Sequence, residues 1–232
     1  MKNFFLKSNF FYFFYKIIKI FRNSKKSKHL GEFGEDVFVR RFFKKYEKGT
    51  YVDVGAYHPI KGSLTFDLYK KNWSGINIDL SKISIDLFKI SRPRDINLRA
   101  AITDYDGKAF YYENSPINQQ NSMIENAQAK KIEIDCFKLN SILDENKIKK
   151  IDYLNIDAEG NDYKVISSFD FKRFKPQLVS IEFNNYDIDK LLESDIHIFM
   201  RDNDYKLISK FGVTCFYVEN NTVSDVHEIM KI

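Results

Sequence analysis

Residues 49–59, Gly-Thr-Tyr-Val-Asp-Val-Gly-Ala-Tyr-His-Pro, constrain this chain more than any other stretch. Thr50 to Val54 is short, β-branched and aromatic, with glycine at both ends, which is the pattern of a buried strand. The backbone must then turn, and Gly55 places a residue without Cβ where the chain bends or a ligand comes close. After Pro59, Leu64, Phe66, Leu68 and Tyr69 precede Lys70-Lys71, which predicts a helix ending near Asn72. Residues 75–80 form a second apolar run that closes on Asp79, 26 positions after Asp53. Strand, glycine turn, helix and a second strand ending in an acid make the nucleoside corner of a doubly wound sheet. There a carboxylate accepts from both ribose hydroxyls. The later glycines of G-x-G-x-x-G are missing, so a nucleoside ligand fits better than a pyrophosphate.

The remaining chain keeps alternating. Residues 31–46 predict a helix whose buried side is Val37, Phe38, Phe42 and Phe43, with Glu35 and Asp36 early in it, where the helix dipole favours acids. Ser81 is the expected N-cap of a helix through Ile90. Strands are predicted over 96–102, 108–113, 131–137, 151–156, 177–183, 205–211 and 213–218, the last two joined at Gly212 as an antiparallel pair. Helices are predicted over 139–146, capped by Asn140, over 163–171 and over 187–202. The connection 114–130 is polar, with six Asn or Gln residues between 118 and 128, and reads as a mobile loop or a substrate lid. The 232 residues divide into an N-terminal aromatic and basic extension, 1–30, and one α/β domain, 31–232.

The extension is crowded with aromatics from Phe4 to Phe21, and Arg22, Lys25, Lys26 and Lys28 follow. Its uncharged run, 8–15, is far short of the ~20 residues that span a bilayer. It is either a helix packed on the domain or on a second subunit, or an interfacial helix at a membrane surface. Net charge is +5, with no arginine-rich stripe, so nucleic acid is not an expected partner. Cys136 and Cys215 stand singly in apolar runs, which predicts buried free thiols and fits a reducing cytoplasm. No cysteine or histidine pattern calls for zinc.

Val52-Asp53-Val54-Gly55-Ala56, Pro59, Ser63 with Thr65, and residues 72–79 (Asn-Trp-Ser-Gly-Ile-Asn-Ile-Asp) together resemble the FkbM family of class I S-adenosylmethionine methyltransferases. Phe33-Gly34-Glu35-Asp36 before them and Ile156-Asp157-Ala158-Glu159-Gly160 after them extend the likeness to about residues 30–220. This sequence has Asn72 where the family usually has glycine, and Asp79 where glutamate is commoner. The resemblance implies a Rossmann-like fold with a seven-stranded, mostly parallel sheet carrying one antiparallel strand, plus the N-terminal aromatic helix. It also implies O-methyl transfer, most plausibly to a sugar hydroxyl of a surface polysaccharide or a glycosylated metabolite, and that the segment around Glu35 helps close the cofactor pocket.

Ligands of such sheets lie beyond the carboxyl ends of the strands, which here carry Asp53, Asp79, Asp157, Glu159 and Glu182. A cationic sulfonium suits that acidic edge better than a phosphate. The expected cofactor set is Asp53, Gly55, Ala56, Ser63, Thr65, Asp79, Leu80, Ala101 and Ile102, with a flat base lying against Ala100-Ala101. The expected catalytic set is Asp157, with His58 and Glu182. The alternative readings are a helix N-cap for Asp157 and a loop residue with a satisfied ring for His58. Asp157 and Glu182 are also a candidate Mg²⁺ pair, although nothing in the sequence requires a metal. The partners expected are a small-molecule or glycan acceptor and, through residues 1–28, a membrane surface on its cytoplasmic side or a second copy of the chain. The competing expectation is an inactive methyltransferase-like binding module, against which the intact acids argue.

Overall fold

A computed structural model describes residues 9–21, 30–114, 122–222 and 226. The basic flank at 22–28, His29, His227 and the middle of the polar connection, 115–121, lie outside the described residues. In chain order the structure runs α1 (Asn9–Phe21), α2 (Glu35–Phe42), β1 (Thr50–Val54), α3 (Phe66–Lys70), β2 (Ser74–Asp79), α4 (Lys82–Ser91) and β3 (Ile96–Arg99). Then come β4 (Ala101–Ile102), β5 (Gly107–Glu113), β6 (Lys130–Phe137), α5 (Leu139–Glu145), β7 (Tyr153–Ile156), α6 (Asp162–Ser167) and α7 (Phe171–Phe174). The chain continues with β8 (Leu178–Glu182), α8 (Ile188–Leu192), α9 (Asp195–Asp202), β9 (Tyr205–Phe211) and β10 (Thr214–Glu219).

Seven strands form one sheet in the order β3-β2-β1-β7-β8-β10-β9. The first five are parallel, and β10 runs antiparallel to both its neighbours. This is the Rossmann-like, mostly parallel sheet with one reversed strand that the sequence led us to expect. The small strands β4, β6 and β5 make a separate three-stranded sheet. Alternation along each strand sorts the side chains to two faces. Val52, Val54, Ile76, Ile78, Leu154, Ile156, Val179 and Ile181 fill a core with Leu139, Leu143, Val165 and Phe171 from the helices after β6 and β7. On the other face Tyr51, Tyr153, Leu178 and Phe216 pack with Phe38, Phe42 and Phe43 of α2, and with Trp73.

That second face also carries a polar row. Pairing register aligns Asn97, Asn77, Asp53, Asn155 and Ser180 across the five parallel strands. Buried polar groups are tolerated only when partnered, and these are. Asn77 Nδ2 donates to Asn97 Oδ1 at 2.8 Å, Asn155 Nδ2 to Asp53 Oδ1 at 2.8 Å, and the Ser180 hydroxyl to Asn155 Oδ1. Thr65 Oγ1 donates to Asp53 Oδ2 at 2.7 Å. Arg92, fully buried, then ties the row to the loop after β1. It donates to the carbonyl of Pro59, to Ser63 Oγ at 2.6 Å, to Thr65 Oγ1 at 2.7 Å and to Asn77 Oδ1 at 3.4 Å. Its guanidinium lies among the rings of Phe88, Phe66 and Tyr69, with centroids 4.9, 5.5 and 5.7 Å away.

Several boundaries differ from expectation. The predicted strand 96–102 breaks at Ala100, and its second half joins the small sheet. The helix predicted over 187–202 is two, because Ser194 accepts from the amide of His197 and starts α9 afresh. Asp170 likewise caps α7 and splits the helix predicted over 163–171. Asn140 does not cap α5; its side chain accepts from the amide of Asp170. The helix expected over 31–46 is shorter, and Val39, not Val37, completes its buried side. Glu35 and Asp36 fix its entry, accepting from the amides of Phe33 (Glu35), Leu30 and Gly31 (Asp36). Both cysteines are buried and free.

Helix α1 packs on α4. Ile20 joins Ile60, Ile83 and Leu87 in a buried cluster, and the Tyr12 hydroxyl donates to Asp86 at 2.7 Å. Phe11, Phe13, Phe14 and Ile18 are exposed on the same helix. Among the described residues, no helix is long and apolar enough to cross a membrane.

Substituting Arg92 with methionine keeps the bulk but removes the positive charge near Asp53 and the donors to Ser63, Thr65, Asn77 and the Pro59 carbonyl. Breaking a buried charged network from one side costs about 3–5 kcal/mol. Urea unfolding of Arg92→Met should show a loss of that size, and a loss under ~1 kcal/mol would contradict the role assigned to the network.

Candidate active site

One step along each strand from the polar row, on the same face and at the carboxyl ends, the sheet presents Asp79 after Asn77, Gly55 after Asp53, Asp157 after Asn155 and Glu182 after Ser180. These residues line a cleft of about 1020 Å³, open mouth included. Of the expected cofactor set, Asp53, Gly55, Ala56, Ser63, Asp79, Leu80, Ala101 and Ile102 all line it. Thr65 does not; it is fully buried behind the wall, between Asp53 and Arg92. Asp53 reaches the cleft as its floor, with one carboxylate oxygen bonded to Asn155 and the other to Thr65.

Gly55 has φ 76°, and a Cβ built on it would lie 1.7 Å from the carbonyl oxygen of Asp157. The close approach that excludes a side chain there is therefore that of backbone to backbone, where β1 and β7 leave the sheet together, with the Asp157 amide donating to the Val54 carbonyl at 2.9 Å. The ligand-approach explanation of Gly55 is secondary to this one.

Asp79 is held ready. Its Oδ2 accepts from the amide of Tyr57 at 2.8 Å and its Oδ1 from the amide of Ser81 at 2.7 Å, the Ser84 side chain is a further partner, and the residue lines the cleft. Burial pushes its carboxyl up to about 6 despite those bonds, with the nearby Asp53 adding to the rise. Leu80, Ala100, Ala101 and Ile102 give the neighbouring wall a flat apolar surface.

At the other side of the cleft Asp157, Glu159 and Glu182 stand together. Burial against the cleft wall, then the charges of Glu182, Asp162 and Glu159, raise the Asp157 carboxyl well above the ordinary range. Glu182 is close enough to share a proton with it and is itself raised, first by burial. The two titrate as a pair. Asp157 is not a helix cap. Asp162 organises that turn instead, accepting from the amides of Ala158 at 2.7 Å and Gly160 at 3.1 Å.

His58 is not brought to the cleft. Its Nδ1 accepts from the amides of Ile60 and Lys61, and its Nε2 donates to the carbonyl of Lys19 on α1 at 3.2 Å. Burial lowers it to about 4, so it stays neutral. The catalytic expectation for His58 is thus replaced by a structural one, a clasp between the β1 loop and α1. Among the described residues no group of three or more His, Cys, Asp or Glu side chains is placed to hold a metal ion. Asp157 and Glu182, the candidate Mg²⁺ pair, lie close enough to share a proton.

Sequence reasoning missed Arg92, Asn155, Asn161 and Met123. Asn155 had a signal, since it repeats the polar-then-acid spacing of Asn77 and Asp79. Asn161 donates to the Ile102 carbonyl at 2.7 Å and lies 3.5 Å from the Met123 sulfur, a contact no spacing announces. Glu35, buried at the cleft edge, is where the segment expected to close the pocket meets it.

No curated protein matches this chain. Among solved structures it is similar to the METTL16 MTase domain (crystal form 2), at 9% identity and TM-score 0.46, over 81% of this chain and 66% of that one. It is also similar to monomeric WbdD, at 10% identity and TM-score 0.41, over 80% of this chain and 41% of that one. The chain therefore spans less than two thirds of either protein's length. Residues 53–207, which hold the end of β1, the Asp79 corner, the acidic pair and the small sheet, match the Methyltransferase FkbM domain, and this chain belongs to that family.

Proposed function

We propose that this chain is an S-adenosylmethionine-dependent O-methyltransferase acting on a sugar hydroxyl of a surface polysaccharide or a glycosylated metabolite. The observation that carries it is the cleft with Asp79 poised at one side and the Asp157–Glu182 pair at the other. Asp79 would accept from the ribose hydroxyls, Leu80 with Ala100 to Ile102 would hold the adenine, and the acidic edge would hold the cationic end. Held there, the cofactor would supply a methyl carbon made electrophilic by its sulfonium. The Asp157–Glu182 pair takes the proton that the acceptor hydroxyl gives up. A raised pKa makes the pair a stronger base than an ordinary carboxylate. An inactive binding module would have no use for a proton-sharing acid pair in the reacting position.

The exposed aromatics of α1 bear on location. We propose that Phe11, Phe13, Phe14 and Ile18 rest in the headgroup layer of the cytoplasmic leaflet, with Lys16, Lys19 and the basic residues at 22–28 in sequence attracting anionic lipid. Sedimentation with anionic vesicles should pull down the full chain. Phe13→Asp, which replaces a half-exposed ring, should weaken this about tenfold or more (~1.5 kcal/mol). Unchanged sedimentation, or a dimer lost on substitution in place of vesicle binding, would overturn the membrane assignment.

Two further outcomes test the chemistry. Ribose binding needs the ionised form of Asp79, while burial in the folded protein raises that group to about 6, above the ordinary aspartate range. On its own account the group therefore stabilises the fold most below pH ~4, and that contribution is lost as pH rises through about 6. Cofactor affinity should run the opposite way, rising with pH through this window. In calorimetry Asp79→Asn should bind weakly and lose the pH dependence; a parent-like titration would remove Asp79 from the site. Asp157→Asn keeps the shape and should lower turnover by roughly 10²–10⁴-fold with cofactor affinity little changed. Turnover at the parent rate would place the base elsewhere.

A further inference from the structure

A second hollow opens beside the cofactor cleft, and Glu159 is the one residue that lines both. The hollow lies under the inserted small sheet. Its walls carry the side-chain amides of Asn114, Asn126 and Asn184, the carboxylates of Glu125 and Glu159, and Ile124. Among the described residues that line it there is no lysine, arginine or histidine. Ile124 is 60% exposed and reaches over Gly160, where an added Cβ would sit 2.6 Å from its Cδ1.

The hollow is built from two parts of the chain that are pinned together. Ser122 pairs with Tyr112 on β5, the Tyr112 amide donating to the Ser122 carbonyl at 2.8 Å. The Ser122 hydroxyl then donates to the carbonyl of Glu159 at 2.8 Å. Glu159 itself has φ 49°, a left-handed conformation that a residue other than glycine holds only where its surroundings impose it. This turn aims the carboxylate at the junction of the two cavities, beside the Asp157–Glu182 pair.

We propose that this hollow is the acceptor subsite, that Glu159 positions the acceptor by accepting from a hydroxyl or amine next to the one that reacts, and that the part of the acceptor held there carries no phosphate or carboxylate. This rests on the methyltransferase assignment above. Asn126 Nδ2 donates to Asn114 Oδ1 at 3.0 Å, and Asn126 Oδ1 accepts from the amide of Gln128. The Asn184 amide and the two carboxylates are matched to hydroxyl groups, and an exposed aliphatic side chain covers the C–H face of a ring. An anionic group would meet two carboxylates with no cation to pair with. Burial and the neighbouring acids hold the Glu159 carboxyl at about 7, so its charge, and with it the preference against anions, grows above neutrality.

The test uses the full chain loaded with S-adenosylhomocysteine and saturation-transfer NMR with three probes: methyl β-glucopyranoside, methyl β-glucosaminide and glucose 6-phosphate. The first two should receive saturation and the phosphate should not. Glu159→Gln and Asn184→Ala should each weaken binding of the two ligands, by about tenfold for Glu159→Gln, while calorimetry shows S-adenosylhomocysteine bound as in the parent. Equal binding of the phosphate, unchanged binding in both variants, or no saturation of any probe by the parent would overturn the subsite. If the parent does not bind S-adenosylhomocysteine, the methyltransferase assignment fails first, and calorimetry shows which of the two has failed.

Discussion

The row of buried polar side chains across the parallel strands is the constraint on which the rest depends. A sheet face with Asn97, Asn77, Asp53, Asn155 and Ser180 in register can be covered only if every one of those groups finds a partner. Part of that demand is met within the row. The remainder is met by Thr65, Asp95, Tyr153, backbone carbonyls and Arg92, and Arg92 in turn fixes the carbonyl of Pro59 and the hydroxyl of Ser63. The loop after β1 is thereby shaped by the sheet beneath it, and that loop walls the cleft. A wholly apolar row would bury more easily but would leave the loop without a template.

The same periodicity sets out the chemistry. Because side chains alternate, the residue two positions beyond each polar member lies on the same face, one step nearer the open edge. That step is Asp79, Gly55, Asp157 and Glu182. Asp79 and the Asp157–Glu182 pair come to opposite sides of one cleft because they occupy different strands at the same level. Their environments then separate their roles. Asp79 is oriented by two amides and ionises near pH 6, whereas Asp157 and Glu182, pressed together, keep a proton between them.

The central sheet and most of the cleft were legible in the sequence, since both depend on local patterns: short β-branched runs, Gly55 after β1, acids at strand ends. Helix boundaries were less legible. Ser194 and Asp170 start new helices within runs whose apolar spacing looks continuous, and capping of that kind competes with periodicity at only a few tenths to ~2 kcal/mol. His58 was misjudged because its surroundings come from α1, far away in sequence, and nothing near it announces Lys19 as a partner. Arg92 escaped notice for a related reason. In sequence it is a basic residue before a proline at a helix end, and only the fold shows it enclosed by three rings and five acceptor contacts.

The most direct test of the account is a crystal structure of the full chain grown with S-adenosylhomocysteine. The account places the ribose hydroxyls on the Asp79 carboxylate, the adenine against Leu80 and Ala100 to Ile102, and the thioether sulfur towards the Asp157–Glu182 pair. A ligand bound elsewhere, or a cleft without ligand at concentrations that saturate the protein in solution, would contradict it.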